Sequence, residues 1–87
     1  MAPLTRQDAF TFVHRSLDIL GISYIDGNEQ DLARFTDSAQ IAGYARIPTA
    51  TLVRLGIVEG SNGMIQPRAQ LTRGEMAKVL ATVLQLG

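Results

Sequence analysis

The sequence predicts an all-α domain built from helical repeats. Two segments share a Thr, an Arg and a following acid, Leu4–Asp8 and Leu71–Glu75, at an offset of 67 residues. Apolar residues recur at helical spacing after both segments, and glycines stand where helices would end. We expect a single domain, residues 1–87. A repeat unit buries its apolar face only against neighbours, so oligomerisation or domain swapping is one way to complete the core.

The composition excludes several classes of protein. Eight basic residues balance eight acidic ones, which argues against a binder of duplex DNA. There is no cysteine, so neither disulfides nor thiolate metal sites are available. No apolar run reaches the length of a membrane span. The start, Met1-Ala2-Pro3, lacks signal-peptide character and leads directly into a helix cap. We therefore expect the chain to be a piece of a longer protein.

The first helix is predicted from Thr5 to about Leu20, with Gly21 as the left-handed residue that ends it. Thr5 and Asp8 have the spacing of a capping box, in which the hydroxyl and the acid each accept a backbone N–H. The helical spacing predicts a buried stripe of six residues: Phe10, Phe12, Val13, Leu17, Ile19 and Leu20.

Residues 21–34 are predicted to be a linker. Asp26-Gly27 indicates a turn, and the polar run Asn28–Asp31 indicates a solvated segment. Polar residues here stand at EF-hand-like offsets, but Asp31 occupies the position that requires glycine. We expect no metal site.

The middle of the chain is predicted to hold two short helices. A cap at Asp37 or Ser38 would begin one that ends near Ala45. The next would begin at Pro48, because Pro suits the first helical position, and end before Gly56. We expect this second helix to bury three residues: Leu52, Val53 and Leu55.

A glycine turn and a long helix complete the prediction. Ile57-Val58 should be extended, and Gly60–Gly63 should form a tight turn. Thr72 and Glu75 form the second capping box and begin a helix that runs from Arg73 to about Leu86. Its predicted buried residues are Met76, Val79, Leu80, Val83 and Leu84. The Arg between cap and acid in both copies is not needed by the helix, which suggests a function.

From Phe35 onward the chain resembles the S-layer homology (SLH) domain. The resemblance is carried by Phe35-x-Asp37, Tyr44-Ala45, Leu52, Gly56-Ile57-Val58, Gly60, Gly63, Pro67 and Leu71-Thr72-Arg73-Gly74-Glu75. Residues 35–87 correspond to one full motif, and residues 4–20 resemble the closing helix of a preceding one. The sequence departs from the family pattern at Tyr44, where Trp is usual, at Ile65, where Phe is usual, and at Gly74, where Ala is usual.

The resemblance implies an SLH-type helical repeat, in a family whose motifs usually pack in threes about a pseudo-threefold axis. It also implies a non-catalytic module that binds bacterial cell-wall glycopolymer, either pyruvylated secondary cell-wall polysaccharide or peptidoglycan. Such a module holds an exported protein on the cell surface, and the export signal is expected elsewhere on the parent chain. Neighbouring SLH repeats or a second copy are expected as protein partners. No cofactor, nucleic acid or membrane insertion is implied.

Arg73, helped by Arg6, is our candidate for holding a ligand carboxylate, because a guanidinium binds a carboxylate through two parallel hydrogen bonds. The free N–H groups at a helix start favour an anion as well. Glycines would allow close backbone approach to a sugar, and Tyr44 could stack on a sugar ring or pack at the helix junction. The expected ligand-binding residues are Arg73, Arg6, Gly60, Gly63, Glu75, Tyr44 and Arg68.

Two other functions compete with this prediction. A protein–protein assembly module of a surface layer would use the same stacked helices, and the incomplete repeat content favours it in part. An enzyme is not expected, because Asp8 and Glu75 are used as caps, and His14 has no nucleophile or second metal ligand at a meaningful spacing.

Overall fold

The computed structural model describes residues 4–86, so both ends of the predicted domain, residues 1–3 and Gly87, lie outside the described residues. Four α-helices follow one another: α1 (Arg6–Ile19), α2 (Glu29–Leu32), α3 (Gly43–Arg54) and α4 (Arg73–Leu86). Across residues 4–86 the chain forms only isolated β-bridges and no strand. The all-α prediction is confirmed. None of the helices in this range has the length and apolar character needed to cross a membrane.

Helix α1 begins and ends as the sequence predicts. The Thr5 hydroxyl accepts a hydrogen bond from the backbone N–H of Asp8 at 3.3 Å. Gly21 has a φ of 73°, and the N–H of Ile22 returns to the carbonyl of Leu17 at 3.0 Å. This is the closing pattern of a helix whose last carbonyls are satisfied by a left-handed glycine and the residue after it.

The buried stripe of α1 is narrower than predicted. Phe10, Val13 and Leu17 are buried, but Phe12 is 66% exposed, and Ile19 and Leu20 are exposed too. Phe12 lies about 200° from Phe10 around the helix axis, so both cannot face one side. The prediction of burial for Phe12, Ile19 and Leu20 is wrong because only one side of α1 meets the rest of the domain.

The predicted linker contains a folded element, so its description as a linker is wrong for residues 29–32, although Asn28, Glu29 and Gln30 are exposed as predicted. Asn28 and Asp31 form a capping box that begins α2: the side-chain oxygen of Asn28 accepts from Gln30 N, and that of Asp31 accepts from Asn28 N, both at 2.9 Å. Leu32 is buried in the core. The polar run therefore supplies the cap, Asn28, and the first residues of a helix.

The turn at Gly27 is bound tightly to α3. Its N–H donates to the Thr51 hydroxyl at 2.9 Å. A Cβ at Gly27 would stand 2.3 Å from the carbonyl carbon of Ala50. Only glycine allows this contact between two backbones.

Helix α3 replaces the two short helices that the sequence predicts. It begins at Gly43 and continues through Pro48, while only a 3₁₀ turn, Ser38–Gln40, precedes it. Pro48 therefore removes one intrahelical hydrogen bond without ending the helix. Contacts with other elements hold the start of α3 in place, since the side-chain carbonyl of Gln7 accepts from Ala42 N at 2.9 Å. Leu52 is buried as predicted, whereas Val53 and Leu55 are half-buried.

Asp37 does not cap a helix, which corrects its predicted role. Its side chain makes no cap hydrogen bond to the 3₁₀ turn. Its two carboxylate oxygens accept instead from the backbone N–H groups of Ile65 at 2.9 Å and Gln66 at 2.8 Å. This buried acid fixes the segment that leads into α4.

Helix α4 has the predicted bounds, whereas the glycine turn runs from Ser61 to Met64, one residue later than the predicted Gly60–Gly63. Ser61 and Met64 exchange two backbone hydrogen bonds of 2.9 Å, and the two residues between them, Asn62 and Gly63, both have positive φ. This is a type I′ hairpin turn. In α4, Val79 and Val83 are buried as predicted. The other three residues predicted to be buried are not: Met76 is half-buried, and Leu80 and Leu84 are exposed.

Candidate functional site

The N-terminus of α1 lies against residues 65–70, the segment that precedes α4. The backbone N–H of Arg6 donates to the carbonyl of Ala69 at 2.8 Å, and that of Gln7 donates to Pro67 at 2.9 Å. These loop carbonyls satisfy N–H groups that have no partner inside α1. The starts of the two repeated helices are thereby brought together.

A cavity of about 340 Å³ opens between these helix starts and the hairpin. Its apolar wall is formed by Phe10, Ile57, Val58, Leu71 and Val79. Its polar lining is formed by Arg6, Glu59, Gly60, Ser61, Gln66, Glu75 and Lys78.

Arg6 is the buried cation of this cavity, with 7% of its surface exposed. Its Nε donates to the carbonyl of Ile65 at 2.8 Å, and its guanidinium lies 5.3 Å from the centre of the Phe10 ring. One of its Nη atoms pairs with a carboxylate oxygen of Glu75. Burial lowers the pKa of Arg6, and the negative charge of Asp37 opposes that shift. Two acids, Glu75 and Asp37, thus act on this one buried guanidinium.

Glu75 joins the two helices while it caps one of them. Its N–H donates to the Thr72 hydroxyl at 3.1 Å, and one of its carboxylate oxygens accepts from Thr72 N at 3.3 Å. The predicted capping box of Thr72 and Glu75 is confirmed. The other carboxylate oxygen of Glu75 pairs with Arg6. The Arg of the first repeat segment is thus neutralised by the acid of the second.

The first predicted capping box, Thr5 with Asp8, forms only one of its two hydrogen bonds. The Thr5 hydroxyl accepts from Asp8 N. In residues 4–86 the Asp8 carboxylate accepts from the Tyr44 hydroxyl at 2.5 Å, and it does not accept from Thr5 N. The hydrogen bond to Asp8 raises the pKa of Tyr44, with burial as the second cause. The carboxylate of Asp8 is engaged by Tyr44 of α3 instead of the cap residue.

Lys78 and Glu59 form the exposed rim of the cavity. The Lys78 ammonium lies 3.9 Å from a carboxylate oxygen of Glu59, and both side chains are mostly exposed. A solvent-exposed ion pair of this kind contributes little to stability. Lys78 stands three residues after Glu75, on the same face of α4, so helical spacing alone could have identified it. Neither residue is among the ligand-binding residues expected from the sequence.

The structure brings together only part of the predicted ligand-binding set. Arg6, Gly60 and Glu75 line the cavity. The remaining four predicted residues lie outside its lining: Arg73, Gly63, Tyr44 and Arg68. Arg73 is exposed at the first position of α4.

Gly60 has a structural reason to be glycine. Its φ is 78°, and an added Cβ would stand 2.7 Å from Cε1 of Phe35 and 2.8 Å from the carbonyl oxygen of Met64. The residue allows the hairpin to pack on the Phe35 ring. At Gly63 an added Cβ would meet nothing within 4 Å, so only its φ of 73° favours glycine.

The charges of the cavity balance. Arg6 and Lys78 supply two positive charges, and Glu59 and Glu75 supply two negative ones. Across residues 4–86 no group of metal-ligating side chains is found. The cavity therefore combines an apolar wall with charged groups of both signs.

Comparison with known proteins identifies the family. The family model of the S-layer homology domain matches residues 34–77, half of the chain. No curated protein and no solved structure matches. SLH domains are non-catalytic modules that bind cell-wall polymers and anchor proteins at the cell surface. The match covers Phe35, Asp37, the hairpin and the second capping box, and on this ground the chain belongs to the S-layer homology family.

Proposed function

We propose that this chain anchors an exported protein by binding one stretch of cell-wall glycopolymer in the cavity between α1, α4 and the hairpin. The observation that carries the proposal is the cavity itself, which at about 340 Å³ is within the usual size range of small-molecule sites. Its apolar wall suits the C–H face of a sugar ring. Its polar groups, among them Ser61 and Gln66, suit the hydroxyl groups.

We assign the recognition of a ligand carboxylate to Lys78. Arg6 already donates to Ile65 and pairs with Glu75, so a ligand carboxylate at its guanidinium would have to compete with the charge of Glu75. Lys78 has only the weak contact to Glu59 at 3.9 Å, and its ammonium is accessible. In this proposal Arg6 shapes the cavity, and Lys78 binds the acidic group of a pyruvylated polymer.

The other predicted ligand residues have a smaller part in the proposal. Arg73, Gly63, Tyr44 and Arg68 lie outside the cavity lining. They would contact only a polymer that extends beyond the cavity. Arg73 nevertheless provides a useful comparison, because it is an exposed cation on α4, the same helix as Lys78.

A sedimentation assay with bacterial sacculi tests this function. Wild-type chain is mixed with intact sacculi, with sacculi stripped of secondary polymer, and with sacculi whose pyruvate groups were removed by mild acid. Binding only to intact sacculi supports pyruvylated polymer as the ligand, and equal binding to all three preparations supports peptidoglycan. If none of them is bound, the anchoring proposal is wrong.

A pair of variants tests the assignment of Lys78. Lys78→Ala should weaken binding to intact sacculi about tenfold, because one hydrogen bond to a charged group contributes about 1.5 kcal/mol. Arg73→Ala removes the same charge from the same helix outside the cavity and should leave binding nearly unchanged. The reverse result would return the ligand to Arg73 and contradict our assignment.

A second candidate function is a protein–protein assembly module. Two exposed apolar pairs favour it, Phe12 with Ile19 on α1 and Leu80 with Leu84 on α4. Each pair shares one face of its helix, and a contiguous exposed apolar face marks a surface for a protein partner. Light scattering over a wide concentration range tests self-association, and a monomer throughout would contradict assembly between copies of the chain.

A further inference from the structure

Gln66 has a backbone conformation that its residue type does not favour. Its φ is 55°, in the left-handed region, and within residues 4–86 only one other non-glycine residue has a positive φ, Asn62. Asn62 lies in the hairpin turn at a position that favours Asn, whose short side chain tolerates this conformation. Gln has no such tolerance, and a residue that precedes proline favours extended backbone. Gln66 precedes Pro67, so both its own side chain and its neighbour oppose the conformation that it adopts.

The surrounding residues impose this conformation on Gln66. Its N–H donates to the Asp37 carboxylate at 2.8 Å, and its carbonyl accepts from Ala69 N at 3.1 Å. The preceding residue, Ile65, donates its N–H to the other Asp37 oxygen at 2.9 Å, and its carbonyl accepts from Arg6 Nε at 2.8 Å. The backbone is thus fixed without help from the Gln66 side chain, and glycine would make the same contacts with less strain.

The side chain of Gln66 is available to a ligand. Gln66 lines the cavity and is exposed, and across residues 4–86 its hydrogen bonds are all made by its backbone. A side-chain amide has two donor hydrogens and one acceptor oxygen. It can therefore donate to one hydroxyl group and accept from its neighbour, and this recognition requires no charge on the ligand.

We propose that Gln66 determines specificity for the neutral part of the ligand, because its amide binds two neighbouring hydroxyl groups of a sugar unit in the cavity. The left-handed backbone, held by Asp37, orients the amide. Strained residues concentrate at ligand-binding positions, where the strain keeps a side chain in its binding orientation. The inference rests on the proposed function and divides the recognition in two: Lys78 binds an acidic group, and Gln66 binds uncharged hydroxyl groups.

Binding of variants to intact sacculi tests this role. Gln66→Ala should bind about fivefold more weakly than the wild type, which is the effect of one hydrogen bond between neutral groups. Gln70→Ala is the matched control and should bind like the wild type, because Gln70 is exposed in the same 65–70 segment but lies outside the cavity lining. Equal binding of Gln66→Ala and the wild type would overturn the inference and leave the proposed function intact. A wild-type chain that binds no sacculi would overturn both.

The salt dependence of binding distinguishes the neutral contact from the charged one. The amide of Gln66 carries no charge, so the loss of affinity in Gln66→Ala should be the same at low and at high salt. The loss in Lys78→Ala should shrink as salt increases, because salt screens the attraction between exposed charges. A Gln66 effect that shrinks with salt to the same extent would contradict the recognition of neutral hydroxyl groups.

Gln66→Gly separates recognition from support of the fold. Glycine adopts a positive φ without strain, which compensates for its greater freedom in the unfolded chain. The urea midpoint should therefore equal or exceed that of the wild type, while binding to sacculi falls as it does in Gln66→Ala. Wild-type binding by Gln66→Gly would show that the amide is not used. A midpoint clearly below that of the wild type would show that the side chain supports the fold, and either result overturns the proposal.

Discussion

Replacing Asp37 by Ala should destabilise the domain more than its position in a loop suggests. The carboxylate accepts two backbone hydrogen bonds, from Ile65 at 2.9 Å and Gln66 at 2.8 Å, and it is buried. Hydrogen bonds to a charged group contribute about 1.5–3 kcal/mol each, so their joint loss should cost about 3–6 kcal/mol. A domain of this length has a total stability of only about 4–13 kcal/mol, so Asp37→Ala should lose a large part of it.

Urea unfolding followed by circular dichroism at 222 nm measures this effect. Asp37→Asn keeps one acceptor oxygen and should lose about half as much stability as Asp37→Ala. Glu59→Gln, which removes a charge from an exposed side chain, is the control and should unfold at the wild-type midpoint. An Asp37→Ala midpoint indistinguishable from wild type would refute the claim that this acid holds the 65–70 segment.

Four further substitutions test other parts of the structure. Gly60→Ala should lower the free energy of unfolding in urea by about 1–3 kcal/mol, because its Cβ would meet two atoms within 3.0 Å at a positive φ. Gly74→Ala should instead raise the free energy of unfolding by up to about 1 kcal/mol, because a Cβ there meets nothing within 4 Å. The hydrogen bond from Arg46 lowers the pKa of Glu29 from 4.5 in the folded state, so the pair stabilises the fold above about pH 4.5 and is lost as pH falls through the folded pKa. Glu29→Gln should accordingly lower the thermal midpoint at pH 7 and lose its effect in acid; an equal loss at both pH values would contradict the pairing. Glu75→Gln keeps an oxygen for the helix cap but removes the charge that neutralises the guanidinium of Arg6. Isothermal titration should therefore find a stronger preference for acidic over neutral wall fragments in this variant than in the wild type. An unchanged preference would argue against Glu75 as the counter-ion of Arg6.

The ends of the long helices could be predicted because local chemistry determines them. Thr72 and Glu75 cap α4 in the predicted way, and Gly21 ends α1 with a positive φ. The hairpin turn also followed from its Asn-Gly pair. Such features depend on a few neighbouring residues, whose preferences are visible in the sequence.

Features that depend on distant residues could not be predicted in this way. Asp37 has the sequence context of a helix cap, yet its partners lie 28 and 29 residues away. Pro48 would begin a helix in isolation, but α3 starts earlier because Gln7 binds the Ala42 N–H. Tertiary contacts decided both cases.

The candidate site also combines features that local sequence indicates with features that depend on distant contacts. The shared Thr-Arg-x-acid pattern indicated that Arg6 and Arg73 are equivalent positions, but not which one would be buried. Only the packing of α1 on residues 65–70 places Arg6 in the cavity and leaves Arg73 in water. Periodicity also overestimated burial, because it marks every apolar face of a helix, whether or not the neighbour that covers it is present.

The hydrogen bond between Arg6 and Ile65 spans 59 residues of chain. Closing a loop of that length costs roughly 3–4 kcal/mol of chain entropy, so α1 should dock after the local elements have formed. The cavity does not exist until that docking occurs. A polymer bound in the cavity, as proposed above, would therefore hold the first helix onto the rest of the domain and raise the free energy of unfolding of the domain itself.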